Sequence, residues 1–221
     1  MVQIREIIFD FDGLIIDTES AAFAAWSEIY RRYNQTLELR KWVACVGASD
    51  EHFDSVRHLE QLSGQSLDRN ALLAKKDQAK AAICDTLDPL PGVLDRLREA
   101  RDLGLKIALA SSSGFSWVDG HLRRIKLRDE FDAILTRENV HKVKPYPDLY
   151  LGAARALDLE PHLCVTFEDS RNGVLAAKAA GMRCFAVPNP ITKDLDFSAA
   201  DGVLQSLAAV TIGELLAQFS G

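Results

Sequence analysis

The sequence predicts an α/β fold, a Rossmann-like parallel sheet core with an inserted helical-bundle cap domain, and three observations predict it. Short apolar runs alternate with longer helical patterns along most of the chain, which is how the βαβ units of a parallel sheet announce themselves. The alternation breaks once, between about Thr18 and Leu87, where helical patterns continue without a convincing strand. Pro89 and Pro91 with Gly92 then punctuate the return to alternation. These breaks assign residues 1–17 and 88–221 to the core and residues 18–87 to the cap.

Five runs are strand candidates: Ile4 to Phe9, Lys106 to Ala110, Ala133 to Leu135, Leu163 to Phe167 and Arg183 to Val187. Helices are predicted at Val93 to Asp102, Ser116 to Ile125, Asp148 to Leu157 and Ser170 to Ala180, with Gly104 and Gly181 as helix stops. In the insertion, a first helix from about Glu19 to Tyr33 sets Phe23, Trp26, Ile29, Tyr30 and Tyr33 at helical spacing, an aromatic stripe suited to core packing.

With 221 residues, 48% of them apolar and 26% charged, the chain is long enough to bury a core without metals or disulfides. A net charge of -6 and a pI near 5.4 exclude the broad basic surface that generic nucleic-acid binding requires. The charges at Arg5 and Glu6 argue against a signal peptide, and no apolar stretch is long enough to span a membrane. The expectation is a cytoplasmic protein, monomeric or a weak homodimer. Cys45, Cys84, Cys164 and Cys184 have no zinc-ligand spacing and read as reduced structural thiols. His52, His58, His121, His141 and His162 read as surface or packing residues.

In an open parallel sheet, ligands bind at the carboxyl ends of the strands. The residues just past the five strand candidates are Asp10-Phe11-Asp12, Ser111-Ser112-Ser113, Thr136-Arg137-Glu138, Glu168-Asp169-Ser170 and Pro188-Asn189. Asp10 and Asp12, two apart at a strand end, project to the same side of an extended chain and repel unless a cation lies between them. Mg²⁺ is the economical answer, because it takes oxygen ligands and shares its sphere with substrate phosphate. Read alone, a D-x-D is as readily a pair of loop-capping aspartates; the second acidic pair, Glu168-Asp169, after another strand of the same sheet tips the balance. Gly13 suggests a backbone that turns tightly against a ligand. Ser111, Ser112 and nearby N–H groups could hold phosphate oxygens, and Lys144 stands before the stiff Pro145-Tyr146-Pro147.

Together these elements resemble the haloacid dehalogenase superfamily, and the helical insertion looks like the cap of its β-phosphoglucomutase-like branch. The matching pieces are Asp10-Phe11-Asp12-Gly13, Ser111, Lys144-Pro145-Tyr146-Pro147-Asp148 and Glu168-Asp169-Ser170-Arg171-Asn172-Gly173, in the order of the superfamily. The resemblance implies that Asp10 is a nucleophile that takes a phosphoryl group. It implies that Asp12 protonates the leaving oxygen and later deprotonates water. Mg²⁺ would be held by Asp10, the backbone carbonyl of Asp12 and Asp169, with Glu168 close by. Ser111 and Lys144 would neutralise phosphoryl oxygens. A halide leaving group needs no proton, so the second carboxylate favours phosphoryl transfer over dehalogenation.

The mutases of this branch carry a histidine early in the first cap helix and an arginine after the glycine of a cap loop. Those positions fall here at Ala22 and, counting from Gly47 in the loop Gly47-Ala48-Ser49-Asp50, at or near Asp50. The reading is therefore a phosphatase of a small phosphorylated metabolite such as a sugar phosphate. A phosphomutase, or a non-catalytic binding protein on the same fold, is the alternative.

Overall fold

The computed structural model describes residues 4–43 and 53–218. Six strands form one parallel sheet in the order β3-β2-β1-β4-β5-β6. They are β1 (Glu6–Phe9), β2 (Lys106–Ala110), β3 (Ala133–Leu135), β4 (Cys164–Glu168), β5 (Arg183–Ala186) and β6 (Gly202–Val203). The first five match the predicted runs to within two residues at either end. The two-residue β6 was not predicted, since so short a segment has no period to read.

The sheet is buried on both faces, and the strands alternate between two apolar layers. Ile7, Phe9, Ile107, Leu109, Val165, Phe167 and Phe185 face one layer, packed by α5 (Val93–Asp102), α6 (Phe115–Arg124) and α9 (Ile212–Ala217). Ile8, Ala108, Ala110, Cys164, Cys184 and Ala186 face the other, packed by α7 (Asp148–Ala156) and α8 (Arg171–Ala179). Helix α9 was also unpredicted, although a capping box formed by Thr211 and Glu214 marks its start. Gly104 and Gly181 take positive φ after α5 and α8, as helix stops should.

A charged side chain enters the second layer at the start of β1. Glu6 is wholly buried, its Oε2 accepts the Cys164 thiol at 3.0 Å, and its Oε1 has no partner. Burial outweighs the thiol bond and pushes the Glu6 carboxyl up to about 7. Cys84, Cys164 and Cys184 are free and buried, as reduced structural thiols would be; Cys45 lies outside the described residues.

Between β1 and α5 lie α1 (Thr18–Arg32), α2 (Leu39–Trp42), α3 (Ser55–Ser63) and α4 (Arg69–Cys84). Asp17 caps α1 by accepting from the Ser20 N–H at 3.0 Å. Trp26, Ile29 and Tyr30 of the predicted stripe are buried, with Phe23 and Tyr33 packed at the edge of the same cluster. That cluster is built from these helices, with Ile191 from the core side joining it. Asp54 and Asp68 likewise cap α3 and α4 through their side chains.

Candidate active site

The chain order places β1 between β2 and β4, where the connections run out to opposite sides of the sheet. This is the topological switch point, and the loops leaving neighbouring strands splay apart to leave a crevice. Ladder bonds continue past the strand ends: Asp10 N–H donates to Phe167 O at 3.0 Å, and Ser111 N–H donates to Leu135 O at 2.9 Å. Backbone thus fixes Asp10 and Ser111 at one edge, where Asp169 follows the last residue of β4. They line a cleft of about 480 Å³, with Asp12, Ser112 and Lys144 on the core side and Trp26, Trp42, Phe53, Arg69, Lys76 and Lys80 on the helical side.

Lys144 organises the floor. Its ammonium is buried and donates to Ala110 O at 2.8 Å, to Glu168 Oε1 at 2.6 Å and to Asp10 Oδ1. The peptide bond to Pro145 is cis. Charge pairing with Asp10 and Glu168 outweighs burial and raises the Lys144 ammonium well above its ordinary value. Glu168 is held further by the Tyr150 hydroxyl and by Ser170 Oγ at 3.2 Å. Asp169 accepts from Asn189 Nδ2 at 2.7 Å.

One carboxylate oxygen from each of Asp10, Glu168 and Asp169 lies within 4.8 Å of the others. Burial raises the Asp10 and Asp169 carboxyls well above the usual range; Lys144 pulls Asp10 back, and the neighbouring carboxylates push both up again. Three carboxylates against one ammonium leave two negative charges uncompensated, and every donor is an oxygen. That donor set fits a hard divalent cation such as Mg²⁺.

Two glycines make the convergence possible. Gly13 has φ +78°, and a Cβ there would stand 2.2 Å from Asp169 Oδ2 and 2.6 Å from Asn189 Nδ2. The tight turn and close approach read from the D-x-D-G run therefore have a concrete cause. In α8, a Cβ on Gly173 would stand 1.9 Å from the Glu168 carboxyl.

Asp12 is placed differently from the expectation that one cation separates it from Asp10. Its carboxylate turns away from the acidic trio. Oδ2 accepts from Ser113 Oγ at 2.6 Å and Ser111 Oγ at 3.1 Å, and Oδ1 accepts from Trp117 Nε1 at 3.1 Å. Lys80 Nζ of α4 stands 3.9 Å from Oδ1. Each aspartate has its own lysine, because the chain turns at Phe11 to Gly13 instead of continuing as an extended strand. Burial would raise the Asp12 carboxyl, but Lys80 and the bonds from Ser113 and Trp117 outweigh it and hold the group below its ordinary value. The contact an ion could take from Asp12 is its backbone carbonyl, the atom the resemblance implied.

Ser111 and Ser112 divide their work. The Ser111 hydroxyl is occupied by Asp12 and by the Ser113 N–H at 2.9 Å, whereas Ser112 Oγ is buried without a partner beside the cleft. Of the histidines, His121 packs between Phe11 and Trp117, and His58 Nδ1 pairs with the Tyr30 hydroxyl at 3.0 Å. Gly47, Ala48, Ser49, Asp50 and His52 fall outside the described residues. Lys80, Trp117, Ser113, Tyr150 and Asn189 were missed as site residues. Asn189 and Ser113 sat in the strand-end segments; Lys80 and Trp117 had no local signal, since each reads as an ordinary helix residue.

Comparison with known proteins fits this geometry. YhcW of Bacillus subtilis (strain 168) is 42% identical over 214 residues, covering 97% of each chain. Hexitol phosphatase B of Escherichia coli (strain K12) is 32% identical over 216 residues, again covering 97% of each. The crystal structure of CbbY from Rhodobacter sphaeroides in complex with phosphate superposes with a TM-score of 0.77 at 27% identity, over 96% of this chain and 99% of that one. The profile of haloacid dehalogenase-like hydrolases matches residues 7–187, from β1 to the end of the β5 segment. On that span and these identities, the chain belongs to the haloacid dehalogenase-like hydrolase family.

Proposed function

We propose that the protein is a Mg²⁺-dependent phosphatase that hydrolyses a small phosphorylated metabolite, a sugar or polyol phosphate monoester, through a phosphoryl group carried on Asp10. The observation that carries this reading is the convergence of Asp10, Glu168 and Asp169 at the floor of the cleft, with the Lys144 ammonium bonded to the first two. Asp10, Glu168, Asp169 and the Asp12 carbonyl would hold the metal, which supplies positive charge against the phosphate and the carboxylates.

In the first step, an Asp10 carboxylate oxygen forms a bond to phosphorus as the bond to the substrate oxygen breaks. Asp12, an anion in the free site, takes up a proton as the phosphate brings further negative charge beside it and gives that proton to the leaving oxygen, so a neutral alcohol departs. In the second step, water attacks phosphorus and its proton passes to Asp12, which restores the Asp10 carboxylate and releases inorganic phosphate. Lys144 neutralises the phosphoryl oxygens, and Ser112 has a hydroxyl free to donate to one of them. Trp26 and Trp42 give the cleft apolar faces while Glu19, Asp54 and Ser55 give it polar groups, a mixture suited to a hydroxylated carbon chain. Hexitol phosphatase B, among the relatives, carries that substrate class in its name. The absence of a histidine at Ala22 favours hydrolysis over a mutase.

The test is release of phosphate from p-nitrophenyl phosphate and a panel of sugar and polyol phosphates, with and without Mg²⁺. Turnover that needs Mg²⁺ and vanishes in Asp10→Asn is expected. Equal turnover in that variant would refute the reading, and glucose 6-phosphate formed from β-glucose 1-phosphate would replace it with a mutase.

A further inference from the structure

Among the described residues of the helical insertion, Lys80 brings a cation directly to the Asp12 carboxylate. Helix α4 presents it across the cleft, 3.9 Å from Asp12 Oδ1 and 4.6 Å from the centroid of the Trp117 ring. The same indole donates its Nε1–H to Asp12 Oδ1 at 3.1 Å. One aromatic ring therefore offers its edge to the carboxylate and its face to the ammonium, and the ammonium closes the triangle on the carboxylate. Both charged side chains are sheltered, at 18% and 16% exposure. The Oδ2 side of Asp12 accepts from two core hydroxyls, Ser111 and Ser113. The Oδ1 side needs one group from the core and one from the insertion.

We propose that Lys80 is a positioning residue for Asp12: together with Trp117 it sets the orientation of the carboxyl that exchanges a proton with the leaving oxygen, and does so only while α4 lies against the core. This rests on the phosphatase reading above, and specifically on Asp12 as the proton donor. A carboxyl pinned at Oδ2 alone rotates about its Cβ–Cγ bond; the Lys80–Trp117 pair removes that freedom. Proton transfer is sensitive to such misplacement, whereas attack of Asp10 on phosphorus is not routed through Asp12.

The discriminating experiment compares leaving groups in single-turnover phosphorylation, followed by rapid quench with Mg²⁺ present. p-Nitrophenol departs without help from an acid; an alkoxide does not. The alkyl substrate is whichever sugar or polyol phosphate the wild type cleaves fastest. Lys80→Met is expected to slow alkyl phosphate cleavage about tenfold while changing p-nitrophenyl phosphate cleavage less than about twofold, and Lys80→Arg to recover most of the loss. Trp117→Phe, which keeps the ring face but removes the donor, is expected to show the same selective loss. Equal losses with both leaving groups in both variants, or no loss at all, would overturn the proposal. Failure of the parent reading is separately visible, since wild-type p-nitrophenol release would then persist in Asp10→Asn.

Discussion

Glu6 and Asp10 stand at the two ends of the same central strand, both buried and both with carboxyls raised by burial. At the amino end, Glu6 meets a thiol at 3.0 Å within a mainly apolar layer, and burial shifts it toward the neutral acid. At the carboxyl end, Asp10 meets Lys144, two further carboxylates and an open cleft. A buried acid alone is a packing feature that tolerates one protonation state. It becomes a reactive site when a fixed cation, further oxygen donors and an entry for substrate converge on it.

The comparison can be broken most forcefully at Lys144. Lys144→Met leaves Asp10 and Glu168 buried without their cation, and is expected to cost ~3–5 kcal/mol of stability. Turnover should fall by about 10²–10³-fold. Denaturant unfolding with and without Mg²⁺ checks the first effect, and the metal should recover part of the loss in the variant. A variant as stable as the wild type would mean that Lys144 does not neutralise the trio. Gly13→Ala is the intermediate case: its Cβ would collide with Asp169 and Asn189, so Mg²⁺ affinity by titration calorimetry should drop roughly 10–100-fold.

The smallest effect on turnover lies at the other end of β1. The Glu6 carboxyl rises from 4.5 to about 7 on folding, so the folded state favours the neutral acid. Its contribution is fully present below the unfolded value and is lost as pH rises through the folded one. Glu6→Gln should therefore stabilise the protein by about 3 kcal/mol at about pH 8 and by almost nothing at about pH 4, with turnover unchanged. A pH-independent difference between the two proteins would mean that Glu6 is not held neutral.

How much of this was legible in the sequence follows the same division. β1 to β5 announce themselves because a strand buried on both faces is a continuous apolar run. The strand-end rule then finds Asp10, Ser111 and the Glu168-Asp169 pair without any contact information. Lys144 is found through its resemblance to a family pattern; in isolation it reads as a surface lysine. Gly13 signals the turn at Phe11 to Gly13, yet the period of an extended strand would keep Asp12 alongside Asp10. Lys80 and Trp117 were out of reach, because their meaning comes from α4 and α6 meeting over Asp12 across a long stretch of chain. Glu6 gave no signal of burial, since a charged residue at the start of a strand ordinarily faces water.

The central claim is that Asp10 accepts a phosphoryl group beside a divalent ion held by its acidic neighbours. Intact-protein mass spectrometry after rapid acid quench, with p-nitrophenyl phosphate and Mg²⁺, tests it most directly. A single phosphoryl adduct that maps to Asp10, depends on Mg²⁺ and is absent from Asp10→Asn is predicted. Phosphate release with no adduct on Asp10, or an adduct that persists in that variant, would contradict it.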